Sequence, residues 1–219
     1  MENSNLKYDE ELSYWKERYA KEGAKLGNAH YKQLMLSISG QSENFFSDKI
    51  VADFGCGPRG SLQWMTNAKM RIGIDVLVDQ YMELGIANHN VTYVRSSETE
   101  IPLPTGYLNV IFTINSIDHV SDVDRMLDEI FRVLRPGGLF AASLNLDEPP
   151  TPTEPATLTE DFIYQKIVPR LHLMRCKVAP RYVGGDTYKY LIDWAVSGLE
   201  PAPRTITKYG IAWIAGEKK

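Results

Sequence analysis

Three groups of residues in this chain combine types and spacing suited to chemistry. The first is Asp53-Phe54-Gly55-Cys56-Gly57-Pro58-Arg59-Gly60, a G-x-G-x-x-G turn that leaves a short apolar, β-rich run over 50–54. Its glycines let the backbone come close to a ligand. That spacing alone serves dinucleotides and other nucleosides alike. Asp53 separates them: a carboxylate two positions before the first glycine sits at the strand end, where it repels a pyrophosphate and attracts a cation. At about 4 Å and an effective dielectric near 20, one such interaction is of order 4 kcal/mol before desolvation, its sign set by the ligand's charge. The second group is Asp75, ending another β-rich run some twenty residues on, where an acid meets ribose hydroxyls. The third is Asn115 with Asp118 and His119, just past an apolar run over 110–114. An imidazole there has a pKa suited to taking a proton from a hydroxyl or an amine, and Asp118 is the alternative base.

The elements that must position these residues are legible as changes of hydrophobic period. Tyr8, Leu12, Trp15 and Tyr19 share one helical face, and Tyr31, Leu34, Met35 and Ile38 share another that ends near Ser39-Gly40. After the glycine turn the pattern predicts a short helix over 61–67, a strand over 70–75, a helical segment over 78–84 and a third strand over 91–95. The run over 110–114 is apolar on both faces, as in the middle of a parallel sheet covered by helices. Val123, Met126, Leu127, Ile130, Phe131 and Leu134 mark the clearest helix, which Arg135-Pro136-Gly137-Gly138 forbids from continuing. A fifth strand follows over 139–144. Prolines at 149, 150, 152 and 155 then require a loop on the carboxyl side of that strand, either a substrate wall or a plain connection. A helix over 159–168 and strands over 171–178 and 205–215 complete the reading, with 186–196 open between helix and strand. Alternating strands and helices imply an α/β, Rossmann-like open sheet with helices on both faces. The division expected is an N-terminal helical cap, 1–48, on a nucleoside-binding region, 49–219, within a single domain.

A cofactor for such a fold with a cationic amino acid end is S-adenosylmethionine, which carries an ammonium and a sulfonium. The chain resembles a class I S-adenosylmethionine-dependent methyltransferase of the broad type 11 group. Val51-Ala52-Asp53-Phe54-Gly55-Cys56-Gly57 resembles that family's first motif, Gly73-Ile74-Asp75 the second, and Arg132-Val133-Leu134-Arg135-Pro136-Gly137-Gly138 the turn before strand five. The resemblance implies a seven-stranded, mostly parallel sheet whose last strand is antiparallel. It also implies that Asp53, Gly55, Cys56, Gly57 and Gly60 surround the methionyl part, and that Asp75 with Val76 holds the ribose. Ser97 and Glu98 then flank the adenine, Asn115 lies near the sulfonium, and the product is S-adenosylhomocysteine. Ser97 and Asn109 depart from the family pattern, each replacing a common acid by a neutral hydrogen-bonding group.

Composition narrows the rest. With 219 residues, 43% hydrophobic and 24% charged, the chain is neither disordered nor coiled-coil. A net charge of −4 without a basic cluster gives no footprint for nucleic acid or an anionic membrane. The expected partner is a small-molecule substrate, with a homodimer compatible and a cytoplasmic location expected. No His/Asp/Glu cluster has metal spacing in the sequence, so no metal is expected. Cys56 reads as a small filler, and Arg59 either as solvated or as touching the cofactor's carboxylate. His30, His89 and His172 are isolated. Tyr14 and Trp15 read either as core or as an aromatic lid, Tyr14 being a third catalytic candidate beside His119 and Asp118. Tyr164, Tyr182, Tyr188 and Tyr190 are further candidates for a pocket wall. The favoured activity is O- or N-methylation of a metabolite. The alternatives are intramolecular cleavage of the cofactor to methylthioadenosine, a non-catalytic nucleotide-binding module, and a nicotinamide or flavin oxidoreductase, which Asp53 opposes.

Overall fold

The computed structural model describes residues 2–182, 189, 192–193 and 206–219. Seven strands form one sheet: β1 (Ile50–Phe54), β2 (Met70–Asp75), β3 (Thr92–Arg95), β4 (Leu108–Ile114), β5 (Leu134–Leu146), β6 (Leu171–Tyr182) and β7 (Ile206–Lys218). Their order is β3-β2-β1-β4-β5-β7-β6. Neighbours from β3 to β5 are parallel, and β7 runs antiparallel to both β5 and β6. The expected mostly parallel sheet with an antiparallel last strand is therefore present.

Both faces of the central strands are buried, which is why they read as unbroken apolar runs. Ala52, Phe54, Ile72, Ile74 and Ile111 face one side, where they pack with Met126, Leu127 and Ile130 of α4 (Val123–Val133). Val51, Val110 and Phe112 face the other, against Leu34, Met35 and Ile38 of α2 (His30–Ser39). The ends of these helices are set locally. Asp122 caps α4 by accepting from Arg125 N at 2.9 Å, and Gly40 closes α2 in the left-handed conformation. Helix α1 (Glu2–Lys21) lies apart from the sheet, its Tyr8, Leu12, Trp15 and Tyr19 packing beside Leu77, Val78 and Tyr81 of the segment that contains α3 (Val78–Tyr81).

Three expectations are corrected. Residues 61–67 form successive tight turns, not a helix: Gln63 N donates to Gly60 O, Met65 N to Leu62 O and Ala68 N to Met65 O, and so short a span between β1 and β2 spends itself reversing direction. Strand β5 begins at Leu134, five residues early, because Leu108 of β4 pairs with it before an irregularity in register. Residues 159–168 are not one regular helix. A three-residue turn, α5 (Glu160–Phe162), passes into a wider turn over Ile163–Ile167 and a tight one over Val168–Arg170, where Pro169 interrupts the bonding. Residues 186–196 lie almost wholly outside the described residues. Among those described, no helix is long and apolar enough to cross a membrane.

Candidate active site

Strand order reverses between β1 and β4, so the chains leaving their carboxyl ends part and open a crevice there. The two strand ends are stitched together. Ser116 Oγ donates to Phe54 O at 2.8 Å and bonds Thr113 Oγ1 at 2.8 Å. Gly55 turns with φ of +67° directly beneath Ser116, and a Cβ at Gly55 would lie 2.2 Å from Ser116 Cβ. Only glycine fits.

Above this junction lies a cavity of about 1210 Å³. Of the residues expected around a nucleoside, Gly55, Cys56, Gly57, Asp75, Val76, Ser97, Glu98 and Asn115 line it, as do Tyr14, Trp15 and His119. Asp53, Gly60 and Asp118 stand behind the wall. Asp53 is buried under the glycine turn, with Oδ2 accepting from Ser61 Oγ and Oδ1 left without a partner among the described residues. Burial, with Asp75 nearby, pushes its carboxyl up to about 7. Asp75 accepts from Leu77 N and Gly57 N, each at 3.0 Å, so it holds the turn and still presents lone pairs to the cavity. Burial raises its carboxyl to about 6. Asn115 adopts a left-handed backbone (φ +52°), and its buried Oδ1 also lacks a partner. These orphaned acceptors fit a ligand bringing donors and positive charge.

Other expected residues do less or something different. The side chain of Ser97 is exposed and turned toward Thr99 N and Glu100 O, while the neighbouring Ser96 is buried on the cavity wall. Glu98 is taken by α1: its Oε1 accepts from Lys7 Nζ at 2.7 Å and from Tyr8 OH, and its Oε2 from Ser121 N at 3.0 Å. Burial works against that charge, but the three donors together hold the carboxyl below its usual range. Arg59 is not solvated. It grips Glu22 through both guanidinium nitrogens, at 2.9 and 2.6 Å, and Gly27 O at 2.7 Å, because the end of α1 brings a carboxylate to it. Cys56 is a buried thiol that burial pushes well up, which makes it a filler. Asn109 keeps the structural part of its role, its Oδ1 accepting from Ile50 N at 2.8 Å.

Helix α1 covers the crevice, with Lys7, Tyr8, Glu10, Glu11, Tyr14, Trp15 and Arg18 on its cavity side. Trp15 stands over Gly57, donates from Nε1 to Glu11 Oε1 at 2.8 Å, and meets Tyr14 edge to face at 5.2 Å. Tyr14 is 48% exposed, at the rim. His119 lies opposite, its Nδ1 3.8 Å from Glu11 Oε2 and its Nε2 3.5 Å from Glu154 Oε1. Burial lowers its pKa, favouring the neutral imidazole that a base requires. Burial, with Glu154 nearby, raises Asp118 to about 7.

The sequence reading missed Lys7, Tyr8, Glu11, His30, Ser96 and Glu154 as wall residues, and misplaced Tyr164, which is half exposed and lies away from the cavity. The side chain of Tyr182 and all of Tyr188 and Tyr190 lie outside the described residues. Thr153 and Glu154 make the proline-rich loop a wall and not a plain connection. Asp118, His119 and Glu154, which no metal spacing joins in the sequence, place donor atoms within 4.8 Å of one another. That signal was invisible because Glu154 arrives from a different loop.

Comparison with known proteins agrees with this geometry. Residues 52–142 match a methyltransferase domain family. The chain is 30% identical over 129 residues to the ubiquinone/menaquinone biosynthesis C-methyltransferase UbiE of Vibrio campbellii, covering 59% of this chain and 44% of that protein. The chain thus matches less than half of that relative's own length. Among solved structures, an S-adenosylmethionine-dependent methyltransferase from Mesorhizobium loti superposes with a TM-score of 0.59 at 15% identity, over 84% of this chain and 95% of that one. The [4+2]-cyclase SpnF superposes with a TM-score of 0.58 at 17% identity, over 84% and 78%. Fold, strand order and the matched segment make residues 52–142 similar to an S-adenosylmethionine-dependent methyltransferase domain of class I. The segment matched includes the glycine turn, Asp75, Asn115 and His119.

Proposed function

We propose that the chain methylates an oxygen or nitrogen of a small-molecule metabolite with S-adenosylmethionine. The observation that carries this reading is the single cavity of about 1210 Å³ shared by the glycine turn, Asp75, Asn115 and His119. It exceeds the usual range for one ligand, leaving room for a cofactor and a modest acceptor together. Gly55 and Gly57 admit the methionyl part, and the unpartnered Asn115 Oδ1 and the buried Asp53 favour its positive charge. Asp75 accepts from ribose hydroxyls. Bound there, S-adenosylmethionine supplies a methyl group already activated on a sulfonium. The residues of the chain therefore need to align the acceptor, exclude water and remove a proton. Helix α1 excludes water, and neutral His119, on the far wall, takes the proton. The cyclase among the structural neighbours shows that this fold hosts other chemistry, and fold alone does not choose between them.

The test is incubation of the pure protein with S-adenosylmethionine and a metabolite extract. S-adenosylhomocysteine together with a metabolite one methyl heavier is the expected result. Methylthioadenosine in its place would move the chain to intramolecular chemistry, and no nucleoside product would overturn the reading. His119→Ala should then slow turnover about 100-fold at unchanged cofactor affinity, and a near-normal rate would remove His119 from the mechanism.

A further inference from the structure

We propose that Asp118, His119 and Glu154 form a binding site for one divalent transition-metal ion at the acceptor end of the cavity. Asp118 and His119 are consecutive on the tight turn Ile117–His119, anchored by the buried Ile117, while Glu154 comes from the loop after β5. That loop is tied down where it delivers the carboxylate. Glu154 N donates to Thr151 Oγ1 at 2.9 Å, Thr151 N to Glu154 O at 2.9 Å, and Ala156 N to Asp118 O at 3.3 Å. One donor atom from each of the three side chains lies within 4.8 Å of the others, and Nε2 of His119 is 3.5 Å from Oε1 of Glu154. Donors bound at about 2.0–2.2 Å in a tetrahedral or octahedral shell stand about 3.0–3.5 Å apart. The cluster needs little rearrangement to reach that spacing.

An independent observation points to a ligand. Asp118 is 4% exposed and its carboxylate is part of this donor cluster; its hydrogen bond comes from its own backbone amide, and the charged groups that act on it, Glu154 and Glu11, are both acids. A buried carboxylate facing other carboxylates is costly unless a proton or a cation is supplied. The imidazole is also oriented for the task. Glu11, held by Trp15 Nε1, places a second carboxylate 3.8 Å from Nδ1, where it can accept the Nδ1 proton once Nε2 holds an ion. Two carboxylates and one imidazole suit manganese, iron, cobalt or zinc better than the all-oxygen cages of calcium. His119 and Glu154 both line the cavity, so the remaining coordination positions face it.

Proton and cation are alternative occupants of this corner. Without the ion His119 serves as the base; with it the imidazole is occupied, and the metal would lower the pKa of an acceptor hydroxyl enough for cavity water to take its proton. This catalytic role rests on the function proposed above, whereas binding of the ion does not.

The test uses the chelator-stripped full chain without cofactor, titrated with manganese(II) chloride while the electron paramagnetic resonance signal of the free ion is followed. One ion per chain should be withdrawn, and Glu154→Gln and Asp118→Asn should each weaken binding at least tenfold. Glu154 lies at the rim, so its variant answers even if the buried Asp118 variant fails to fold. Glu22→Gln, at the opposite end of α1, should bind as the wild type does. A free-ion signal undiminished by the wild type, unchanged affinity in Glu154→Gln, or equal weakening in Glu22→Gln would each overturn the site. S-adenosylmethionine binding followed by calorimetry on the same samples reports separately on the function.

Discussion

The two ends of the cavity are built on different principles. At the glycine turn, the bonds that shape the loop come from backbone or from a side chain near a strand end: Gly55 N donates to Ile74 O at 2.8 Å, Gly57 N to Asp75 Oδ2 and Ser116 Oγ to Phe54 O. Strand pairing brings these groups together. At the His119 end, His119, Glu154, Glu11 and Tyr14 come from three separate segments, which side-chain contacts and one backbone bond, Ala156 N to Asp118 O, bring together. The first end lies on the strand ends and within the segment that matches a methyltransferase domain family. The second is assembled from long side chains on a helix and a loop, where specificity can change without disturbing the sheet.

The difference is sharpest at Gly55. Gly55→Ala introduces a Cβ 2.2 Å from Ser116 Cβ and 2.7 Å from its Oγ, at a φ of +67° that alanine resists. Ser116 cannot retreat without giving up its bonds to Phe54 and Thr113. The expected loss of stability is about 3 kcal/mol or more, read as a lower midpoint in urea unfolding. A matching substitution at the His119 end, such as Glu154→Gln, should leave that midpoint within about 0.5 kcal/mol of the wild type. Equal effects at the two ends would erase the distinction.

Asp53 tests the electrostatics of the glycine-turn end. Its carboxyl keeps a proton up to about 7 in the folded, empty protein, against an ordinary value of 3.8. The folded state therefore binds more protons than the unfolded state between those values. Stability from this group is full below about pH 4 and is lost as pH rises through about 7. Asp53→Asn cannot ionise and retains an acceptor for Ser61. It should be more stable than the wild type at pH 8 by about 1–4 kcal/mol, with the gain vanishing near pH 4. The same variant should bind S-adenosylmethionine more weakly, by about 1–3 kcal/mol in calorimetry. A variant that is neither stabilised at pH 8 nor weakened in binding would deny Asp53 any part in selecting a cation.

The sheet was legible because each strand carries its own signature. β1 and β4 are apolar on both faces, glycines follow the switch-point strand, and Arg135-Pro136-Gly137-Gly138 separates α4 from the body of β5. Where signals compete, boundaries slipped: residues 61–67 contain helix formers, but the span is used up in turning. Strand ends carry Asp75 and Asn115 to the cavity wall, as their position after β-rich runs foretells. Contacts made far along the chain carry no such signal. Nothing near Glu98 in sequence shows that Lys7 and Tyr8 will claim its carboxylate, and nothing near His119 announces Glu154. An amphipathic period tells which face of α1 is apolar, but not what its polar edge will meet.

That polar edge supplies the smallest expected effect. Lys7 is buried to 8% exposure with its ammonium on Glu98, and Tyr8 donates to the same carboxylate, so one acid beside β3 ties the first turns of α1 over the cavity. Glu98→Gln keeps acceptors for Tyr8 and Ser121 N but removes the charge opposite Lys7. A half-buried pair of this kind is worth about 1 kcal/mol, since partial desolvation cancels much of its attraction. The cost should fall on closure of α1: cofactor affinity should drop about fivefold, kcat should stay near wild type, and proteolysis within residues 2–21 should quicken. Added salt should shrink the gap between wild type and variant, because only the wild type has the ion pair to screen. If α1 resists protease equally in both while affinity still falls, Glu98 acts on the nucleoside directly, and the end of the cavity built from α1 and the loop reaches further toward the cofactor than its side-chain contacts indicate.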